Sequence, residues 1–178
     1  MISLSKNRWI IVAIGHYVAL FFATQLNHYL MPLGFHVFIL GMLVSYSAME
    51  LSFRQGFLSL VPVAFHIDSK SPLPFGFTLV LALALFTVAH AARSRVRREI
   101  NSSALVTTIM LNLVAFSAYT LGAIRNFGAD GLHFGPLALN LFASALVVAL
   151  LNRTFFEAQS GALALFGINL AEEQREAR

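Results

Sequence analysis

Six apolar stretches, joined by short polar loops, run through the chain from Trp9 to about Phe156. A helix needs about 20 mostly apolar residues to cross a hydrocarbon core roughly 30 Å thick. The chain has 178 residues, of which 58% are hydrophobic and only 11% charged. A soluble domain of this size cannot hide so much apolar surface. The pattern predicts an all-α, polytopic membrane bundle, one integral-membrane domain over 1–178. Spans are expected at about 9–26, 32–50, 51–67, 74–92, 104–124 and 135–156, with a cytoplasmic tail over about 158–178.

Charge sets the expected orientation. With the N-terminus inside and six crossings, the inner side receives Lys6, Arg8, Arg54, Arg93, Arg95, Arg97, Arg98, Arg153, Arg175 and Arg178. The outer side receives only Lys70 and Arg125. This bias predicts both termini in the cytoplasm. The third span is short and contains Pro62; a crossing from Leu51 lets Arg54 snorkel to the inner headgroups. Without that crossing, the Arg93–Arg98 run would lie outside. The N-terminal apolar run is too long for a typical signal peptide and reads as an uncleaved first span. The apolar segment Ser160–Leu170 is too short to cross and reads as a continuation of helix six or a surface-lying helix. The net charge of +4 belongs to this topology rather than to nucleic acid, and no nucleic-acid partner is expected. The expected environment is membrane lipid.

Few residues offer chemistry. The chain has no cysteine, which excludes disulfides, thiol nucleophiles and thiolate metal sites. His28, His36, His66 and His133 are expected near the outer face, with Asp68 and Asp130 at similar depth. His16 is expected at mid-membrane and His90 near the inner end of the fourth span. None of these has a metal-ligand spacing on one helix, so no metal and no cofactor is assigned. There is no Gly-x-Ser-x-Gly, no His-Glu-x-x-His, no phosphate loop and no serine–lysine pair within a span. No catalytic residue emerges, and the chain is not read as an enzyme. No Asp or Glu falls at mid-depth, where proton-coupled transporters commonly carry one.

Polar and small residues within the spans point instead to helix contacts. Asn112 is expected at mid-depth in the fifth span and Asn140 in the outer third of the sixth. Amides in lipid are costly unless they face protein. Small residues four apart let helices approach closely: Gly41 and Ser45, Ala118 and Gly122, Ala145 and Ala149. These eight positions are the candidate helix-interface residues. They serve either internal packing or the docking of another membrane protein.

One stretch carries a family resemblance. Gly56-Phe57, then Ala64-Phe65-His66-Ile67-Asp68, then Pro74-Phe75-Gly76 and a long apolar helix to Ala92, resembles the MreD family of rod-shape-determining proteins. In that family a glycine-containing apolar segment commonly ends in Asp, with a Gly eight residues on that opens the next helix. Asp68 and Gly76 fit this spacing, and Asn140 and Arg153 are placed like the family's last span. The family's glycines four and eight residues before the Asp are Ala64 and Leu60 here. The resemblance implies a six-span, non-enzymatic scaffold of the bacterial cytoplasmic membrane. It implies partnership with MreC and, through it, with MreB, RodA and a peptidoglycan transpeptidase, so that side-wall synthesis and cell shape are maintained. The alternative is the substrate-binding membrane subunit of an energy-coupling-factor type vitamin transporter. Such subunits are of similar size and typically carry an Ala-x-x-x-Ala-like docking motif in the first span, which Ala19 and Ala23 fit.

Overall fold

The computed structural model describes residues 7–93, 101–128 and 134–168. The described residues form six α-helices and no strand: α1 (Arg8–Leu30), α2 (Leu40–Glu50), α3 (Phe53–Lys70), α4 (Phe77–Ala92), α5 (Asn101–Phe127) and α6 (Phe134–Leu165). A 3-10 turn, Met31–Leu33, follows α1.

The helices form a ring around a short centre. In the ring α1 packs on α3, α3 on α4, α4 on α5, α5 on α6, and α6 back on α1. The central helix is α2, which packs on α3, α4 and α5 and at fewer places on α6. Its position follows from its sequence. Leu40–Met49 is apolar or small all round, with no polar face to offer water or headgroups. Every one of those ten residues is buried. The two serines among them are satisfied: Thr108 Oγ1 donates to Ser45 Oγ at 2.7 Å, and Ser47 Oγ lies 3.0 Å from Ser59 Oγ.

The ring helices are apolar on the outside. Phe22, Val80 and Leu150 are each about two-thirds exposed, on α1, α4 and α6. Water would not tolerate that surface, whereas lipid tails would. Three stretches are long and apolar enough to cross a membrane: Arg8–Leu33, Ala104–Phe127 and Phe134–Leu165. The helix Phe77–Ala92 is apolar but shorter. The chain is therefore a membrane-type helical bundle.

The elements depart from the sequence expectations in two places. First, the expected span 32–50 is not one helix. Residues 35–39 lie outside any helix, and regular α-helix begins only at Leu40. A short apolar run does not by itself distinguish helix from extended chain, and Phe35-His36-Val37-Phe38-Ile39 suits an extended backbone. Second, α3 is continuous through Pro62 and reaches Lys70, three residues beyond the expected end. As expected for the apolar segment from Ser160, helix six continues: α6 runs on to Leu165, past the expected start of the tail near 158. The final segment from 169, Lys6, Arg95, Arg97, Arg98, Asp130 and His133 lie outside the described residues.

Candidate functional site

The polar side chains of the bundle converge on the break before α2. A non-helical backbone packed inside a helical bundle has no helical partners for its N–H and C=O groups. Here side chains from three ring helices supply them. On α1, Asn27 clamps Val37: its Oδ1 accepts the Val37 N–H at 2.7 Å and its Nδ2 donates to the Val37 carbonyl at 2.9 Å. On α6, Asn140 Oδ1 accepts the His36 N–H at 2.9 Å, and Ser144 Oγ accepts that of Phe38 at 2.9 Å. On α5, Asn112 Nδ2 donates to the Phe38 carbonyl at 2.8 Å, and its Oδ1 accepts the Gly41 N–H at 3.0 Å. Asn112 thus caps the first turn of α2 from a neighbouring helix, taking up an N–H that has no intrahelical partner.

The break begins with a tight turn. Gly34 adopts φ 76°, and its N–H donates to the Met31 carbonyl at 3.0 Å. A side chain at that φ is strained, which is why glycine suits this corner.

A second polar unit sits at the α3–α4 corner. Asp68 is only 3% exposed. Its Oδ1 accepts the Thr78 N–H at 2.8 Å, and its Oδ2 accepts those of Gly76 at 3.1 Å and Leu79 at 3.2 Å. Three amides at the N-terminus of α4 therefore converge on one carboxylate, where the helix dipole also favours negative charge. Gly76 is the N-cap residue of α4, with φ 93°. The spacing of eight residues lets the chain turn and bring these amides back over Asp68. The linking loop is also tied to α5, since the hydroxyls of Ser71 and Tyr119 are hydrogen-bonded.

The small-residue positions divide between the interior and the ring surface. A Cβ on Gly41 would overlap the backbone of Asn112, so this glycine sets the closeness of α2 and α5. Ser45 is on the same contact, bonded to Thr108. Gly122 faces the Phe77 ring, which a Cβ would meet at 2.8 Å, across the α4–α5 contact. These three belong to internal packing. Ala118 on α5, and Ala145 and Ala149 on α6, are half-buried.

A groove of about 840 Å³ runs along the α1–α6 contact and is floored by Val37, Ile39 and Met42. Its walls are almost wholly apolar. Beside it lie buried polar residues of α1, α2 and α6. His16 stacks on Phe155, with ring centroids 6.0 Å apart, and meets Tyr46 edge-on. Gln159 lines the groove and is 3% exposed.

The histidines are dispersed. His36 sits in the extended segment, with Nε2 3.4 Å from Asn27 Nδ2. His66 lies edge-on to Tyr17, and His90 Nδ1 lies 3.2 Å from the Ala48 carbonyl. Among the described residues no group of three His, Asp or Glu side chains could hold a metal ion. At the C-terminal end of α4, Arg93 donates to the Leu51 carbonyl at 2.8 Å.

Asn27, Ser144 and Gln159 are important residues that the sequence reading did not single out as contacts. The available signal was Pro32-x-Gly34, a turn pattern inside an expected span, together with amides on other helices and no acid to pair with them. Comparison of the chain with protein-family models, with curated proteins and with solved structures finds no match.

Proposed function

We propose that the chain is an integral-membrane scaffold that works by holding other membrane proteins on its helix faces. The observation that carries this reading is the use of its interior polar groups. Asn27, Asn112, Asn140, Ser144 and Asp68 are all engaged with backbone, so they build the bundle. What the bundle offers its surroundings is apolar helix surface and an apolar groove. Interfaces within lipid are built from close helix packing and occasional amides. The resemblance at 56–76 directs the scaffold reading to the bacterial cell-elongation machinery, with an MreC-type partner and, through it, the side-wall peptidoglycan synthases. The Asp68–Gly76 corner supports it by giving the two motif residues one shared structural task.

In this reading all six segments cross the cytoplasmic membrane. The eleven residues of α2 rise about 16 Å, and the non-helical residues 35–39 before them supply the rest of the crossing. The charge bias then places both termini inside. The chain has no cysteine, so single cysteines can be labelled cleanly. A cysteine at position 70 is expected to react with an impermeant maleimide from outside, and one at position 97 only after permeabilisation. External labelling at 97 sinks the six-crossing topology.

The functional test is affinity purification of the full chain in mild detergent. Cell-elongation proteins are the expected companions. A second reading, the substrate-binding subunit of a vitamin transporter, is favoured by one observation: Ala19 and Ala23 both line the α1–α6 groove, where a coupling subunit could dock. Recovery of an ATPase pair, a coupling subunit and a bound small molecule would replace the scaffold with the transporter.

A further inference from the structure

Three successive residues of the central helix reach out to three ring helices. Ser45 accepts the hydroxyl of Thr108 on α5 at 2.7 Å, and Ser47 Oγ lies 3.0 Å from Ser59 Oγ on α3. Tyr46, between them, turns to α6, where its hydroxyl lies 3.5 Å from Ser160 Oγ. Hydroxyl pairs normally close to about 2.7–2.8 Å. The first two links are made, and the third is loose. The loose one is on the side where side chains of α1 and α6 meet Tyr46.

The same side gathers polar atoms that the protein leaves unmatched. His16 on α1 is fully buried, meets Tyr46 edge-on and stacks on Phe155, yet neither ring nitrogen has a protein hydrogen-bond partner. The Ser59 backbone lies nearby but forms no hydrogen bond of normal geometry with the ring. On α6, one turn to either side of Phe155, stand Asn152 and Gln159. Both are buried, and Asn152 Oδ1 and Gln159 Oε1 have no protein donor. Among the described residues five buried side-chain atoms lack a protein partner, and four of them belong to these three residues. Such atoms are costly to bury, whereas apolar side chains in their place would not be. A neutral imidazole calls for one donor and one acceptor, and an amide oxygen calls for a donor. A water molecule supplies both, and buried water commonly serves such groups. An apolar ligand supplies neither. A cation could take the lone pairs but not the N–H, and among the described residues no group of three His, Asp or Glu could hold a metal ion.

We infer that the seam between α1, α2 and α6 is a buried hydration site, in which ordered water is hydrogen-bonded to the His16 imidazole and shared with Tyr46 and the amides of Asn152 and Gln159. The site is interior and does not rest on the scaffold reading. It explains why two helices in an otherwise apolar contact carry His, Asn and Gln at buried positions. His16 and Tyr46 are fully buried, and Val12, Leu51, Leu163 and Ile168 pack about Tyr46, so this water is enclosed rather than bulk.

The test is X-ray radiolytic footprinting of the full chain in lipid nanodiscs. Radiolysis of a bound water makes a hydroxyl radical in place, which modifies the side chains beside it even when they are buried. The expected result is modification of Tyr46 severalfold above that of Phe86, an equally buried ring on α4. The excess should persist when a radical scavenger is added to the bulk solvent. Equal yields at Tyr46 and Phe86, or an excess that the scavenger removes, overturn the inference. His16→Leu, in protein that still inserts and accumulates, should bring the Tyr46 yield down towards that of Phe86 and should not raise the thermal midpoint. An unchanged Tyr46 yield takes the water away from His16 and overturns the site as drawn. A raised midpoint does so too, because it marks His16 as a dry, unpaired group whose removal relieves the bundle. The measurement on the unmodified chain decides the question by itself if the variant does not accumulate.

Discussion

Asn112→Leu is expected to destabilise the bundle by about 3–6 kcal/mol, although leucine is nearly the same size. The substitution strands two backbone groups at once, the Phe38 carbonyl and the Gly41 N–H. Each buried unpaired group costs about 1–3 kcal/mol in water-soluble proteins, and lipid offers no substitute partner. Gly41 cannot reach another partner cheaply, because it is buried in the central helix α2. Thermal unfolding in detergent reads the effect as a lower midpoint. Ser117→Leu, on the exposed side of the same helix, supplies the control and should change it little. Equal midpoints for the two variants would mean that the extended segment is not held by Asn112.

How much of this was legible depends on how far apart the interacting residues lie. Helices α1, α5 and α6 follow from long apolar runs, because length and hydropathy are local properties. The Asp68–Gly76 pair is also local: eight residues separate the carboxylate from its nearest amide. The break before α2 is not. Asn27 binds Val37 from ten residues away, but Asn112 and Asn140 lie 71 and 104 residues from the groups they bind. An apolar run of Phe, Val and Ile gives the same hydropathy whether helical or extended. What decides between them is a set of distant amides whose partners no local pattern reveals. The same limit applies to Gly41 and Gly122. Their spacing marks them as close-packing positions, but only the ring architecture tells that both faces point inward.

Asp68→Ala is expected to cost about 2–4 kcal/mol, against less than about 0.5 kcal/mol for a residue in a solvated loop. The carboxylate receives three amides at the start of α4, and hydrogen bonds to a charged group are each worth roughly 1.5–3 kcal/mol. Water reaching the α3–α4 corner would recover part of that loss, which keeps the estimate below the simple sum. Asp68→Asn should fall between, because one oxygen can still accept the Thr78 N–H while the new NH₂ faces the amides of Gly76 or Leu79. Gly76 gives an independent check on the same corner. Beyond its two chain neighbours, no atom lies within 4 Å of the place where its Cβ would stand, so crowding by the rest of the fold is not the issue. The constraint is φ 93°, which costs a β-branched residue far more than asparagine. Gly76→Val should therefore destabilise by about 1–2 kcal/mol or more, and Gly76→Asn by clearly less. The order Val worse than Asn, with Asp68→Ala at least as damaging, identifies a capped turn. If Val and Asn behave alike and Asp68→Ala is silent, the corner does not hold α3 and α4 together, and the motif resemblance loses its physical basis.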